Sequence, residues 1–96
     1  MKSIGGSEKP IRLSRHARGQ LEFRGISEEE VRAAIKESEW EAAEMGRLQC
    51  RRNFIYNKEW NSRWYSTKQV RVIFVEETEE VVVVTVYSYY FQEARQ

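Results

Sequence analysis

The chain has one cysteine, one histidine and one proline in 96 residues. The lone Cys50 forms no intrachain disulfide and no cysteine-based zinc site. The lone His16 excludes a His-rich metal site. Catalysis is therefore expected to be metal-free or to use carboxylates alone, and no cofactor is expected. No apolar run approaches the ~20 residues of a membrane helix, so no membrane partner is expected. Met1–Pro10 is polar and glycine-containing, with no apolar stretch behind a basic start. It carries the expectation of no secretory leader and a cytoplasmic location. At this length there is room for one folded unit. With 41% hydrophobic and 12% aromatic residues, the chain is too rich in core-forming side chains to be disordered.

A net charge of +1 conceals a segregated pattern. Residues 1–24 carry six basic and two acidic side chains; residues 25–46 carry two and seven. Residues 47–75 carry seven and one; residues 76–96 carry one and five. Two basic segments thus alternate with two acidic ones. Brought together, the basic segments make a positive face for an anion. Interleaved, they pair with the acidic segments across neighbouring elements. Arginines outnumber lysines eleven to five, and arginine alone forks onto phosphate or carboxylate with two parallel hydrogen bonds.

Residues 1–9 read as a frayed start, 10–91 as the single domain and 92–96 as a tail. The alternation in Ile11-Arg12-Leu13 predicts a brief strand. Ser14 then caps a helix over 15–24 that stops at Gly25, a residue suited to the left-handed position. Ser27-Glu28-Glu29-Glu30 is a capping box, with Ile26 and Val31 as its hydrophobic staple. Val31, Ala34, Ile35 and Ser38 follow helical spacing, and that helix is expected to end near Ser38 or Glu39. Beyond Trp40 the period becomes two. Leu48–Tyr56 reads as a strand, 57–61 as a loop, and 63–66 and 69–76 as strand broken near Thr67-Lys68. Glu77–Glu79 reads as a hairpin tip. Val81–Tyr90, apolar on both faces, is expected to be central in its sheet. The order is α+β: a short strand, two helices, then three to four antiparallel strands with the helices on one face.

Two stretches carry a resemblance: Leu13-Ser14-Arg15-His16-Ala17 and Phe23-Arg24-Gly25-Ile26-Ser27-Glu28-Glu29-Glu30-Val31. Together with Val70-Arg71-Val72-Ile73 and Val82-Val83-Val84-Thr85-Val86-Tyr87, they resemble the domain-of-unknown-function family 4258, over about residues 11 to 90. That family looks like a branch of the RelE/ParE/BrnT toxin superfamily of toxin–antitoxin pairs. The resemblance implies a RelE-like fold. It also implies either metal-free endoribonuclease activity on RNA, with ribosome-associated mRNA among the expected targets, or, as in ParE, action on gyrase. A cognate antitoxin is the implied protein partner. His16, Arg24, Arg71 and Tyr87 sit at matched motif positions, whereas Gly19-Gln20 departs from the family's charged pattern.

Metal-free RNA cleavage removes the ribose 2′ proton, protonates the leaving 5′-oxygen and needs positive charge at the phosphate. His16 suits proton transfer, Arg24 and Arg71 suit the phosphate, and Tyr87 can assist. On the first helix His16 lies ~40° from Gln20 and ~80° from Arg24, in one sector. Each also has a structural reading. His16 can cap or pack, Arg24 can neutralise the helix end or pair with a glutamate, and Arg71 can sit at a sheet edge or in a pair. Arg47, Arg51, Arg63, Lys68 and Trp60 are the candidate RNA-binding residues. Arg51 and Arg52 fall on opposite faces by alternation. Trp64 is expected in the core and Trp60 exposed in a loop. The rivals to an enzyme are a non-enzymatic interaction module, for an antitoxin or a gyrase-like partner, and an inactive relic of the fold.

Overall fold

Ser14 turns a strand into a helix in one step. Its backbone is extended, and its Oγ accepts the Ala17 N–H at 3.1 Å, satisfying a donor that the first turn leaves without a partner. The strand before it is β1 (Ile11–Leu13) and the helix after it α1 (Arg15–Arg24). In this computed structural model, which describes residues 9–92, α1 ends at Gly25 with φ 68° and ψ 37°. The frayed start and the tail expected from the sequence lie outside the described residues, apart from Lys9 and Gln92. Helix α2 (Glu28–Glu37) opens on the complete capping box: Ser27 Oγ accepts Glu30 N–H, and Glu30 Oε1 accepts Ser27 N–H. It ends one residue before the expected Ser38.

The chain then forms a two-residue strand β2 (Glu41–Ala42), a 3-10 turn (Glu44–Gly46), and three long strands. These are β3 (Leu48–Trp60), β4 (Arg63–Glu76) and β5 (Val81–Phe91). The sheet order is β1-β5-β4-β3-β2, with β1 parallel to β5 and the other pairs antiparallel. The centre is therefore β4, not the valine-rich β5. β1 covers β5 only over Val81–Val83, and Val82 and Val84 are half-buried. No described helix is long and apolar enough to cross a membrane.

Three strand expectations change. Residues 57–60 of the expected loop are strand, because a bulge between Ile55 and Lys58, with Asn57 at φ 51°, absorbs the misfit and lets β3 continue. The turn is Asn61-Ser62, both at positive φ (53° and 70°), as a two-residue hairpin loop of this hand needs. β4 runs unbroken through Thr67-Lys68. The tryptophans exchange roles. Trp60 curls back to stack on Tyr90, with centroids 4.8 Å apart, whereas Trp64 is 46% exposed.

Both helices lie on one face of the sheet. Val31, Ala34 and Ile35 of α2 and Ala17 of α1 meet Val70, Val72 and Phe74 of β4 and Val83 and Val86 of β5 in one buried cluster. Trp40 closes its end, edge-on to Phe74 at 5.0 Å and donating Nε1–H to Ile35 O at 2.8 Å. Cys50 lies in this core, and burial raises its thiol pKa to about 12.

The corner between the helices is fastened by polar side chains of the sheet. The last carbonyls of α1 have no partner within the helix. Arg24 O accepts from Ser88 Oγ at 2.8 Å and Tyr90 OH at 2.7 Å, and Gly25 O accepts from Lys68 Nζ at 2.7 Å. Lys68, 5% exposed, also donates to Glu30 Oε1 at 2.8 Å. A Cβ on Gly25 would stand 2.5 Å from the Trp60 ring and 2.6 Å from Tyr90 OH.

Three outcomes follow from this packing. Gly25→Ala is expected to cost at least ~1–2 kcal/mol from the left-handed backbone alone, and more from displacement of the Trp60 ring, read as a lower urea midpoint. Lys68→Ala strands Glu30 and the Gly25 carbonyl, and is expected to cost roughly 2–3 kcal/mol in the same measurement. Hydrogen bonds from Arg18 and then Arg32 lower the Glu28 carboxyl pKa. A lowered acid favours the fold above its ordinary titration range and loses that contribution as pH falls through the lowered value. Urea midpoints followed from about pH 6 to pH 3 are expected to fall, and to fall less in Glu28→Gln.

Candidate functional site

Alternation on the long strands divides their side chains. Cys50, Val70, Val72, Phe74 and Val86 face the helices. Gln49, Arg51, Arg71, Thr85 and Tyr87 face the other way, away from both helices, with the Glu44–Gly46 turn bordering part of that face. Register makes this face a set of rows. Arg51 lies opposite Arg71, which lies opposite Tyr87. The next row is Gln49, Ile73 and Thr85.

Arg71 thus stands on the central strand rather than at an edge, and its partners are neutral. Its Nε and Nη2 donate to Gln49 Oε1 at 3.0 and 2.9 Å, and its Nη1 donates to Tyr89 OH at 3.4 Å. Gln49 is oriented in turn by donating Nε2–H to Glu41 Oε1 at 3.2 Å. The guanidinium lies 5.3 Å from the Tyr87 ring centroid. A second guanidinium reaches the same ring from α1: Arg24 lies 5.1 Å from that centroid, and its Nε donates to Gln20 Oε1 at 2.8 Å. One ring therefore holds two cations within about 10 Å of each other. At that separation their repulsion in water is only about 0.4 kcal/mol, which the ring quadrupole offsets.

The pairing pattern sets this group apart. Among the described residues, ion pairs use Lys9, Arg12, Arg18, Arg32, Arg52 and Lys68. None uses Arg24 or Arg71. The edges and the helix face follow the interleaved arrangement, with cations neutralised by glutamates. The open face instead has cations aimed by amides and a phenol, which fix a guanidinium without cancelling its charge.

The other candidates divide between the two environments. Arg47 lines the hollow beside Arg71, and Arg51 faces Arg71 across the strands. Arg63 is exposed at the hairpin end. Lys68 is not on this surface; its ammonium is consumed inside by Glu30 and the Gly25 carbonyl. Trp60 likewise packs in the aromatic cluster around Tyr90. His16 is exposed on α1. It lies one helical turn before Gln20 and roughly on the same side, about 6 Å along the axis, and no described contact joins it to Arg24, Arg71 or Tyr87. Gln20, Gln49 and Tyr89 were missed. The signals present were Gln20 at a position where charge was expected, and Gln49 in alternation with Arg51. No group of three His, Cys, Asp or Glu among the described residues is placed to hold a metal ion.

The fold and this face together define a class: an α+β domain with both helices on one side of a mixed five-stranded sheet and a cationic, aromatic, uncovered other side. The chain matches the domain of unknown function DUF4258 over residues 13–88 and belongs to that family. No curated protein and no solved structure gives a significant match.

A polyanion gripped by Arg71 releases counterions in proportion to the phosphates neutralised. If the open face takes single-stranded RNA, Arg71→Gln is expected to weaken that binding about equally across sequences and to lower the salt slope by about one, measured by filter binding over a KCl series. Arg12→Gln, at a paired position, is expected to leave that slope unchanged.

Proposed function

We propose that this chain is the toxin of a toxin–antitoxin pair, a metal-independent endoribonuclease of the RelE/ParE/BrnT-like superfamily with a RelE-like fold. The observation that supports this most is that Arg24 and Arg71 converge on Tyr87 on the uncovered sheet face without a carboxylate partner. Such a site suits a scissile phosphate. In the reaction, the ribose 2′-oxygen attacks phosphorus, the P–O5′ bond breaks, and a 2′,3′-cyclic phosphate and a 5′-hydroxyl result. Arg24 and Arg71 stabilise the charge that grows on the phosphoryl oxygens. The Tyr87 phenol gives a proton to the departing 5′-oxygen and regains it from water. His16 takes the 2′ proton, a role that requires its imidazole to reach from α1 to the phosphate held by Arg24 and Arg71. An antitoxin acts by covering the same face.

One observation favours a second reading, a non-enzymatic interaction module: His16 stands apart from the arginine–tyrosine group. The test is cleavage of RNA by the purified chain in chelator, with and without ribosomes. Fragments ending in 2′,3′-cyclic phosphate are expected. Arg71→Ala is expected to lower the rate about 100-fold or more, and His16→Ala by about 100-fold. Full activity in His16→Ala removes that residue from the mechanism. No cleavage under either condition removes the endoribonuclease and leaves the interaction module.

A further inference from the structure

Beside Arg71 and Tyr87 the open face deepens into a hollow of about 490 Å³, within the ~300–1,000 Å³ of small-molecule sites. Ala42, Ala43, Met45, Ile73 and Thr85 supply the apolar part of a lining that is about equally polar and apolar. Its described lining holds one carboxylate, Glu44. Arg47 and Arg71 line the same hollow, yet the Glu44 side chain makes no hydrogen bond or ion pair among the described residues. Other exposed glutamates, Glu22 and Glu79 among them, also form no ion pair; Glu44 differs in lining the hollow beside Arg47 and Arg71.

The backbone carrying Glu44 is fixed at a conformational cost. Met45 adopts the left-handed region (φ 61°, ψ 33°) while its side chain is 83% exposed, so no burial of that side chain compensates. Gly46 follows at φ 74°. Two hydrogen bonds close the turn: Ala43 N–H to Arg47 O at 2.8 Å and Arg47 N–H to Glu44 O at 3.2 Å. Backbone strain in an ordered turn is a recurrent mark of a working site.

We infer that this hollow takes a guanine base, with Glu44 reading its Watson–Crick edge while Arg71 and Arg24 hold the attached phosphate. This deepens the reading of the open face as an RNA-binding site and rests on it. The selection is chemical. An ionised carboxylate only accepts hydrogen bonds. Unpaired bases are read on their Watson–Crick edges. Guanine alone presents two adjacent donors there, N1–H and N2–H, which match the two carboxylate oxygens. Adenine and cytosine each place a ring-nitrogen acceptor beside their single amino group. Uracil flanks its one N–H with two carbonyls. In these three an acceptor meets the carboxylate and repels it. The apolar part of the lining, Ala42, Ala43 and Ile73, takes one face of the base, and the guanidinium groups take the phosphate.

The test is calorimetric titration of the full chain with the 5′-monophosphates of guanosine, adenosine, cytidine and uridine, and with inorganic phosphate. Guanosine monophosphate is expected to bind at least about tenfold tighter than the other three. Glu44→Gln, whose amide offers one donor and one acceptor, is expected to bring all four within about threefold. Glu44→Ala guards against a fortuitous pairing by the new amide and is expected to behave likewise. Arg71→Gln is expected to weaken all four equally. Four equal affinities that fall with Arg71→Gln would overturn the guanine assignment and leave the phosphate site standing. No binding of any nucleotide or of phosphate at millimolar concentration would overturn both.

Discussion

One buried ammonium group holds the two halves of this fold in register. Lys68 enters the interior from the central strand and bonds the Gly25 carbonyl, where α1 ends, and the Glu30 carboxylate, where α2 begins. Glu30 in turn accepts the Ser27 N–H that opens α2. A lysine so far from water is tolerated only with its charge matched and its donors occupied. Tyr90 and Ser88 complete the joint at the Arg24 carbonyl. Because the Arg24 backbone is clamped, its side chain is delivered around the rim of the sheet to Tyr87. The packing of one face thereby sets the chemistry of the other.

The two faces handle cations by opposite means. Where structure is at stake, glutamates meet lysines and arginines, and several of these pairs are exposed enough to contribute little individually. On the uncovered face amide oxygens and aromatic rings restrain Arg24 and Arg71. Such partners supply direction while leaving the positive potential available to an incoming anion. The alternation of basic and acidic segments along the chain therefore resolves both ways, as pairing at the helix face and edges and as an unneutralised patch on the open side.

Much of this was legible in the residues. The caps at Ser14, Gly25 and Ser27 needed only local stereochemistry, and each helix begins where its cap residue stands. Alternation correctly separated Arg51 from Arg52, which pairs with Glu37 behind the sheet. What escaped depends on contacts distant in sequence. Nothing around Trp60 announces that β3 will bulge and return its indole to Gly25 and Tyr90. Lys68 reads as a surface cation because its partners lie 38 and 43 residues away. Gln20 stood out only as a missing charge and Gln49 not at all, although they aim both arginines. The resemblance pointed to His16, Arg24, Arg71 and Tyr87. The last three share a contact cluster, and the imidazole stands outside it.

The pairing of Ile11–Leu13 with Val81–Val83 joins segments seventy residues apart. Closing a contact this remote in sequence carries a cost in chain entropy. During synthesis about seventy residues must follow the first strand before its partner exists. Tyr87 and Tyr90 are made later still. The joint that anchors Arg24 and the ring that receives its guanidinium thus come into being together, and a partly made chain has neither. The arginines of β3 and β4 meet first, and the ring that draws Arg24 to them arrives only with β5.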